Sequence, residues 1–327
     1  MANNAFHPKD FKAWVKNEST NGSDPTITTG LAGLDVDSVS FPSLNVTQVA
    51  NVRSGSGRVA VATDFFQDNK NRTVEVTLSG VIHGSGADRI LMGNIMGSSA
   101  DPLALAYNHT GTAGTYGVTS HSSTTFTLVL ASPDVVDGHN IVMNGCMVTN
   151  YQISADMGTD GGEYKYSATI SSGLVPTLND SSVEDGTMYT GSPIALSTLS
   201  TKKVYNLTPV MSGFSVTIDS PAVYAGFSSS GYEAFGRGEE TSVVASSTVK
   251  LDSVTRGLAT SFDTQSAHIA SDLFTATQTT VSDCSISIPS GILTNVAYNE
   301  GDMMMLDVEM KALALTSGSI LTIDLVA

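Results

Sequence analysis

Apolar and polar residues alternate at period two along much of the chain. Residues 73–78 (Thr73-Val74-Glu75-Val76-Thr77-Leu78), 164–170 and 304–310 each set every second side chain on one apolar face. That pattern predicts antiparallel strands with one covered and one wet face. An imperfect alternation over 39–52, through Phe41, Leu44, Val46, Val49 and Val52, predicts a strand or two bent at Pro42. Residues 214–218 and 223–227, then 243–244 and 249–251, repeat this layout later in the chain. Helical spacing is rarer. Ile90, Leu91, Ile95 and Met96 predict a short helix over 87–96, and Ile269, Leu273 and Phe274 one over 263–274. Near the start, Phe11, Trp14 and Val15 at i, i+3, i+4 predict a short helix after Pro8.

The order of these elements repeats. A Cys, an alternating strand, an acidic Gly turn and a second alternating strand run from Cys146 through Gly161-Gly162 to Ile170, and again from Cys284 through Gly301-Asp302 to Met310. The cysteines lie 284 − 146 = 138 residues apart. A period this long means duplicated domains, not a solenoid of short repeats. We read an arm over residues 1–35, a first domain over 36–175, a linker over 176–206 and a second domain over 207–327. The first copy carries about forty residues before its Cys, including 124–130, for which the second shows no obvious counterpart. Each copy also has a long polar loop inside its hairpin, 53–72 and 228–240. Loops of that length between paired strands are usually functional or mobile.

Composition narrows the classes. At 327 residues and 41% hydrophobic, the chain suits two domains, each able to bury a core. Lys+Arg 15 against Asp+Glu 31 gives a formal charge of −16, which argues against a surface that binds nucleic acid by neutralising phosphates. No apolar run approaches the roughly 20 residues that span a bilayer, and residues 1–16 carry charges where a signal peptide needs an apolar core. These features predict a chain made in the cytoplasm with no membrane partner. Two matched cysteines suggest equivalent sites in two cores more than partners in one disulfide.

Candidate chemistry is sparse. The chain has no GxSxG elbow, HExxH, P-loop or GxGxxG, and its six His are scattered singly. Asp156-x-Gly158-x-Asp160-Gly161-x-Glu163 offers carboxylates around a turn but lacks the ligand ladder of a calcium loop, and a tight turn needs Gly and Asp in any case. No catalytic, cofactor or metal residues are assigned, and the chain reads as architecture.

A duplicated mainly β sandwich, with one short helix per copy, a long polar hairpin loop, an N-terminal arm and a closing strand-turn-strand, resembles the major tail tube proteins of long-tailed bacteriophages. The residues that carry the resemblance are 73–80 and the run from Cys146 to Ile170. In that family single-domain subunits form hexameric rings and two-domain subunits form trimeric rings with sixfold pseudosymmetry. The resemblance therefore implies a homotrimer whose strands join an intersubunit β-barrel, stacked into a virion tail tube assembled in the host cytoplasm. Its partners would be itself and other tail proteins (tape measure, terminator, distal tail), with DNA passing unbound. If six modules each lend four strands, 24 strands spaced about 4.8 Å and tilted about 40° make a circumference near 150 Å and a bore of roughly 38 Å. A duplex about 20 Å wide fits.

On that reading Glu75, Asp307 and Glu309 are candidate lumen-facing acids, which would let a polyanion slide. The alternative is that they are ordinary outer-surface charges. Candidate inter-ring residues are Arg53, Arg58, Phe65, Phe66, Asp68, Lys70 and Arg72 in the first loop region, and Tyr232, Phe235 and Arg237 in the second. Phe11 and Trp14 form a candidate docking arm, seated either on a neighbouring subunit or on its own domain. The competing reading is a tandem-sandwich binding module, such as a decoration, host-attachment or adhesin protein; an enzyme is a third.

Overall fold

Each stretch of strict alternation forms a strand of antiparallel sheet. The computed structural model describes residues 7–23, 26–50, 65–84, 86–97, 103–108, 117–118, 124–133, 139–159, 161–179, 183, 193–226, 232–238, 241–264, 268–269, 271–278, 284–300, 303–314 and 317–325. The first half contains β1 (Lys12–Asn17), β2 (Ala32–Gly33), β3 (Ser38–Val39), β4 (Ser43–Ala50), β5 (Phe65–Val81), α1 (Gly86–Met96), β6 (Leu103–Asn108), β7 (Gly117–Val118), β8 (Phe126–Ala131), β9 (Asn140–Asp156), β10 (Lys165–Ser172) and β11 (Thr177–Asn179). The second half contains β12 (Leu199–Val204), β13 (Met211–Asp219), β14 (Ala222–Ala225), β15 (Ala234–Arg237), β16 (Ser242–Lys250), α2 (Gly257–Asp263), β17 (Phe274–Gln278), β18 (Cys284–Ile288), β19 (Gly291–Glu300), β20 (Met304–Ala312) and β21 (Ser317–Leu325). The protein is mainly β and sandwich-like, with antiparallel sheets and, among the described residues, no closed barrel.

The two halves repeat their strand pairings one for one. In the first, β1 pairs with β8, β8 with β9, β9 with β11 and with β10, β10 with β5, and β5 with β4. In the second, β12 pairs with β17, β17 with β18, β18 with β21, β19 with β20, β20 with β16, and β16 with β13. The long strand β9 thus does the work of both β18 and β19. It bends at Gly145, whose φ of +64 suits a residue without Cβ, whereas the second half breaks at Pro289-Ser290. The hairpin loop is likewise matched: β14 and β15 pair Tyr224 with Phe235 where β4 and β5 pair Val49 with Phe66.

This pairing map corrects several expectations. β1 is a strand, not a helix. Ala13, Trp14 and Val15 are all buried because both faces of β1 are covered, and a strand covered on both sides loses its alternation. The arm and the linker therefore supply the equivalent strands β1 and β12 to the two modules. The rest of the arm contributes as well: Ile27 and Leu31 pack with Trp14, Val129, Val142 and Val183 in a small second core. Strand β8 does have a counterpart, β17. The true insertion is β6–β7, and β6 pairs with β21 of the other half. The cysteines are not equivalent, since Cys146 lies at the bend of β9 opposite Phe126 and Ser172, whereas Cys284 opens β18 opposite Leu325. Both are buried, and they are not joined to each other. Finally, α2 lies before the predicted stretch, because Phe274, Thr275 and Ala276 are buried on both faces as strand β17.

The halves share one sheet and one core. Strand β13 pairs with β9 from Gly213 opposite Asp156 to Asp219 opposite Asn150, so the main sheet runs β19-β20-β16-β13-β9-β10-β5 and ends at β3 and β4. Beneath the seam Phe214 meets Tyr164 edge-on at 5.2 Å and Phe274 at 5.4 Å. A single apolar cluster extends from Ala13 to Leu325.

Candidate functional site

The face of the main sheet turned away from this core is polar and continuous across the seam. On β10 the buried Tyr166, Ala168 and Ile170 alternate with Lys165, Ser167 and Thr169. Registers carry the same parity through each neighbour. The polar face thus holds Ser154, Ser215, Thr217, Ser246 and Thr248 around the seam. Hydrogen bonds knit it across the strands: Ser215 Oγ and Ser246 Oγ are 2.7 Å apart, and Gln152 Nε2 donates to Thr217 Oγ1 at 3.3 Å. Where the face crosses the seam towards β20 it forms a trough of about 420 Å³.

All three sequence-predicted acids lie on this face. Glu75 sits on β5 opposite Ser171, and Asp307 and Glu309 on β20. Asp307 accepts hydrogen bonds from Thr248 Oγ1 at 2.7 Å and Asn299 Nδ2 at 2.9 Å, and Glu309 from Thr294 Oγ1 at 2.9 Å. Asp156 and Asp219 join them, against Lys165, Lys250 and Lys311, and Lys165 Nζ is paired with Asp37 Oδ2 at 3.3 Å. The arrangement offers a smooth polar wall of small hydroxyl and amide groups. Among the described residues no three His, Cys, Asp or Glu side chains gather as a metal site. In the turn weighed for calcium, Asp156 Oδ1 accepts from Gly158 N at 2.6 Å and closes the turn itself, while Asp160 lies outside the described residues.

Both edges of the sheet are open over most of their length. Among the described residues the side of β19 away from β20 is bridged only at its start, where Gly291 pairs with Ile269, and no strand pairs with the rest of that side, nor with β3 and β4 on the side away from β5. Open edges template pairing with another chain. The alternation of 214–218 predicted a strand, but nothing local in the sequence marked β13 as the partner of β9 and hence β19 as an edge.

The second candidate loop is committed within the chain. The β14–β15 hairpin folds onto the first module, with Tyr224 and Tyr232 stacked over the backbone at Gly173 and Phe235 against Gly145 and Leu174. Arg237 anchors it by donating to Ser220 O at 2.8 Å, Asn94 O at 3.0 Å, Asn94 Oδ1 at 2.7 Å and Val148 O. Its guanidinium is buried although the residue as a whole is only half-buried, and burial pushes its pKa down to about 10, against an opposing effect of Tyr224. Tyr232, Phe235 and Arg237 are thus spent on an intramolecular contact. Arg53 and Arg58 lie outside the described residues, and Phe65, Phe66, Asp68, Lys70 and Arg72 lie on the distal half of β5. Trp14 is buried in its own chain, and Phe11 meets Phe41 edge-on at 5.1 Å.

Sequence reasoning also missed Glu18, a buried carboxylate that ties the arm to the bend of β9. Its Oε1 accepts from Gly145 N and Thr127 Oγ1, both at 2.8 Å, and its Oε2 from Gly22 N at 2.7 Å and Thr125 Oγ1. No residue spacing announces such a contact, because three of its four partners, Thr125, Thr127 and Gly145, lie more than a hundred positions away. No helix among the described residues is long and apolar enough to cross a membrane. No protein-family model matches the chain, and no curated protein matches it.

Proposed function

We propose that this protein is a structural subunit that closes with two further copies into a ring of six modules, and that the rings stack into a hollow tube like those of the tail tube proteins it resembles. The observation that carries this reading is the seam. Two homologous modules already stand edge to edge in one sheet, and the strands that would repeat that junction, β19 and β4, are the strands left open. The chain lends eight strands to the sheet, with β3 and β4 sharing one edge, so three copies supply 24. The polar face would then line the bore, in keeping with passage of a polyanion that is not held. Such a subunit would be a component of a virion tail, and its function would be mechanical, not catalytic.

The repeat fixes a register. Leu306 corresponds to Tyr166 (306 − 166 = 140), so Asp307 corresponds to Ser167 and Lys311 to Ser171. Their partners make Ala297 equivalent to Gln152, Val244 to Glu75, and hence Thr217 to Ser43. Within the chain Thr217 faces Gln152. Between chains Ser43 would face Ala297. With both native cysteines buried, a chain carrying Ser43→Cys and Ala297→Cys should oxidise to covalent trimers, while the wild type at high concentration shows rings or hollow tubes in negative stain. Monomers throughout, with no covalent oligomer, would sink the reading and favour the binding-module alternative.

A further inference from the structure

We infer that the distal half of the β4–β5 hairpin is an intersubunit clasp, which grips the second module of the adjacent copy as the β14–β15 hairpin grips the first module within one chain. The inference rests on the ring reading but concerns a different surface from the sheet edge. Its basis is positional. Phe66 pairs with Val49 and Phe235 pairs with Tyr224, and 66 + 169 = 235 is the same offset that relates Glu75 to Val244 along these strands. Phe66 therefore holds the register position of Phe235. In the second module Phe235 reaches across the β9–β13 seam onto the neighbouring module, against Leu174 and Gly145. Across the equivalent junction between copies, β4 beside β19, the hairpin of one copy would reach the second module of the next.

The receiving surface has the corresponding parts. The offset of 140 that relates β10 to β20 makes Gly173 and Leu174 equivalent to Leu313 and Ala314. In the first module that spot is covered by Tyr224, Tyr232 and Phe235. In the second module Leu313 is 37% exposed, a large apolar side chain next to an open edge strand. Its backbone is held in place, because Leu313 N donates to Ser290 O at 3.0 Å and Ser290 Oγ to Leu313 O at 2.5 Å. The position of Arg237 is taken by Asp68 in the first hairpin, since 237 − 169 = 68. The buried cation that locks the intramolecular hairpin is thus not repeated. A clasp without that lock can open, as a contact made only on assembly requires.

Chemical cross-linking tests this separately from the ring itself. Mixing chains carrying Phe66→Cys with chains carrying Ala314→Cys, under a short bismaleimide, should give a two-chain product that neither variant forms alone. Phe235→Cys with Leu174→Cys in one chain should cross-link internally and serves as the geometric control. If the Ser43–Ala297 pair joins copies and the 66–314 pair does not, the clasp is wrong and the ring survives; if neither joins, both fall. Phe66→Ala should leave the melting temperature of the free subunit unchanged and raise the concentration needed for assembly about thirtyfold, the effect of losing one aromatic anchor. A fall in melting temperature equal to that of Phe235→Ala would mean instead that the first hairpin is folded onto its own chain, and would overturn the proposal.

Discussion

Tyr151 and Tyr166 stack at 6.0 Å in the middle of the core, and Tyr166 Oη donates to Asp35 O at 3.0 Å. Burial pushes both phenols well above the ordinary value of 10.0, with nearby Asp88 adding to the shift, and burial raises Tyr224 and the Cys146 thiol too. The sign follows from linkage. Each group stays neutral when folded but ionises at its ordinary pKa when unfolded, so its contribution is intact below 9.0 for Cys146 and 10.0 for the tyrosines and is lost as pH rises beyond. The melting temperature should therefore hold steady from neutral pH to about pH 9 and then fall steeply. Near-ultraviolet phenolate absorbance should rise for these tyrosines only with unfolding. Phenolate signal from the whole set while circular dichroism still reports the native fold would contradict this. At the same scale, Gly80 is fixed by a close approach: a Cβ there would lie 1.8 Å from Asp35 O, so no larger residue fits without moving the backbone.

Among the elements, the β14–β15 hairpin shows how one cation can hold two strands onto a neighbouring module. Arg237 donates to four neutral oxygens from three residues of β9, α1 and the end of β13. Arg237→Ala leaves those acceptors in a partly closed site and should cost about 3 kcal/mol, since hydrogen bonds to charged groups contribute about 1.5–3 kcal/mol each and their losses are not additive. Chemical denaturation would measure it, and a loss below about 0.5 kcal/mol would mean that the aromatic contacts of Tyr224, Tyr232 and Phe235 hold the hairpin unaided. Strand β1 carries a different lesson. Its apolar residues read as a helical stripe because periodicity cannot separate a strand buried on both faces from a helix segment.

For the whole molecule, the continuous core implies that the modules are not independent folding units. Tyr164, Phe214 and Phe274 pack across the seam, and β6 of the first half completes the sheet of the second through β21. Cutting the chain between 192 and 193 exposes that seam and the open edge of β13. We expect residues 1–192 and 193–327, expressed separately, to lack a cooperative thermal transition and to bind a hydrophobic dye. A cooperative transition in either half would show that its own layers suffice.

The strictly alternating strands, one helix and the polar face were legible in the sequence, because they depend on local periodicity, whereas β1 and the start of β17, covered on both faces, read as helix. Val74, Val76 and Leu78 must turn one way and Glu75 the other whatever surrounds them. The repeat was legible in outline, yet aligning it through Cys146 and Cys284 misplaced strands. The turn from β9 to β10 spans residues 157–164 and that from β19 to β20 only 301–303, so equal spacing between cysteines did not mean equal positions. What only the tertiary structure decided was partnership: that β1 inserts between β2 and β8, that β13 lies along β9, that Arg237 is enclosed, and that β4 and β19 remain open. A residue's face is set by its immediate neighbours in the chain, but its partner is chosen by contacts from tens of positions to well over a hundred apart, where burial and hydrogen bonding of the whole chain are settled together.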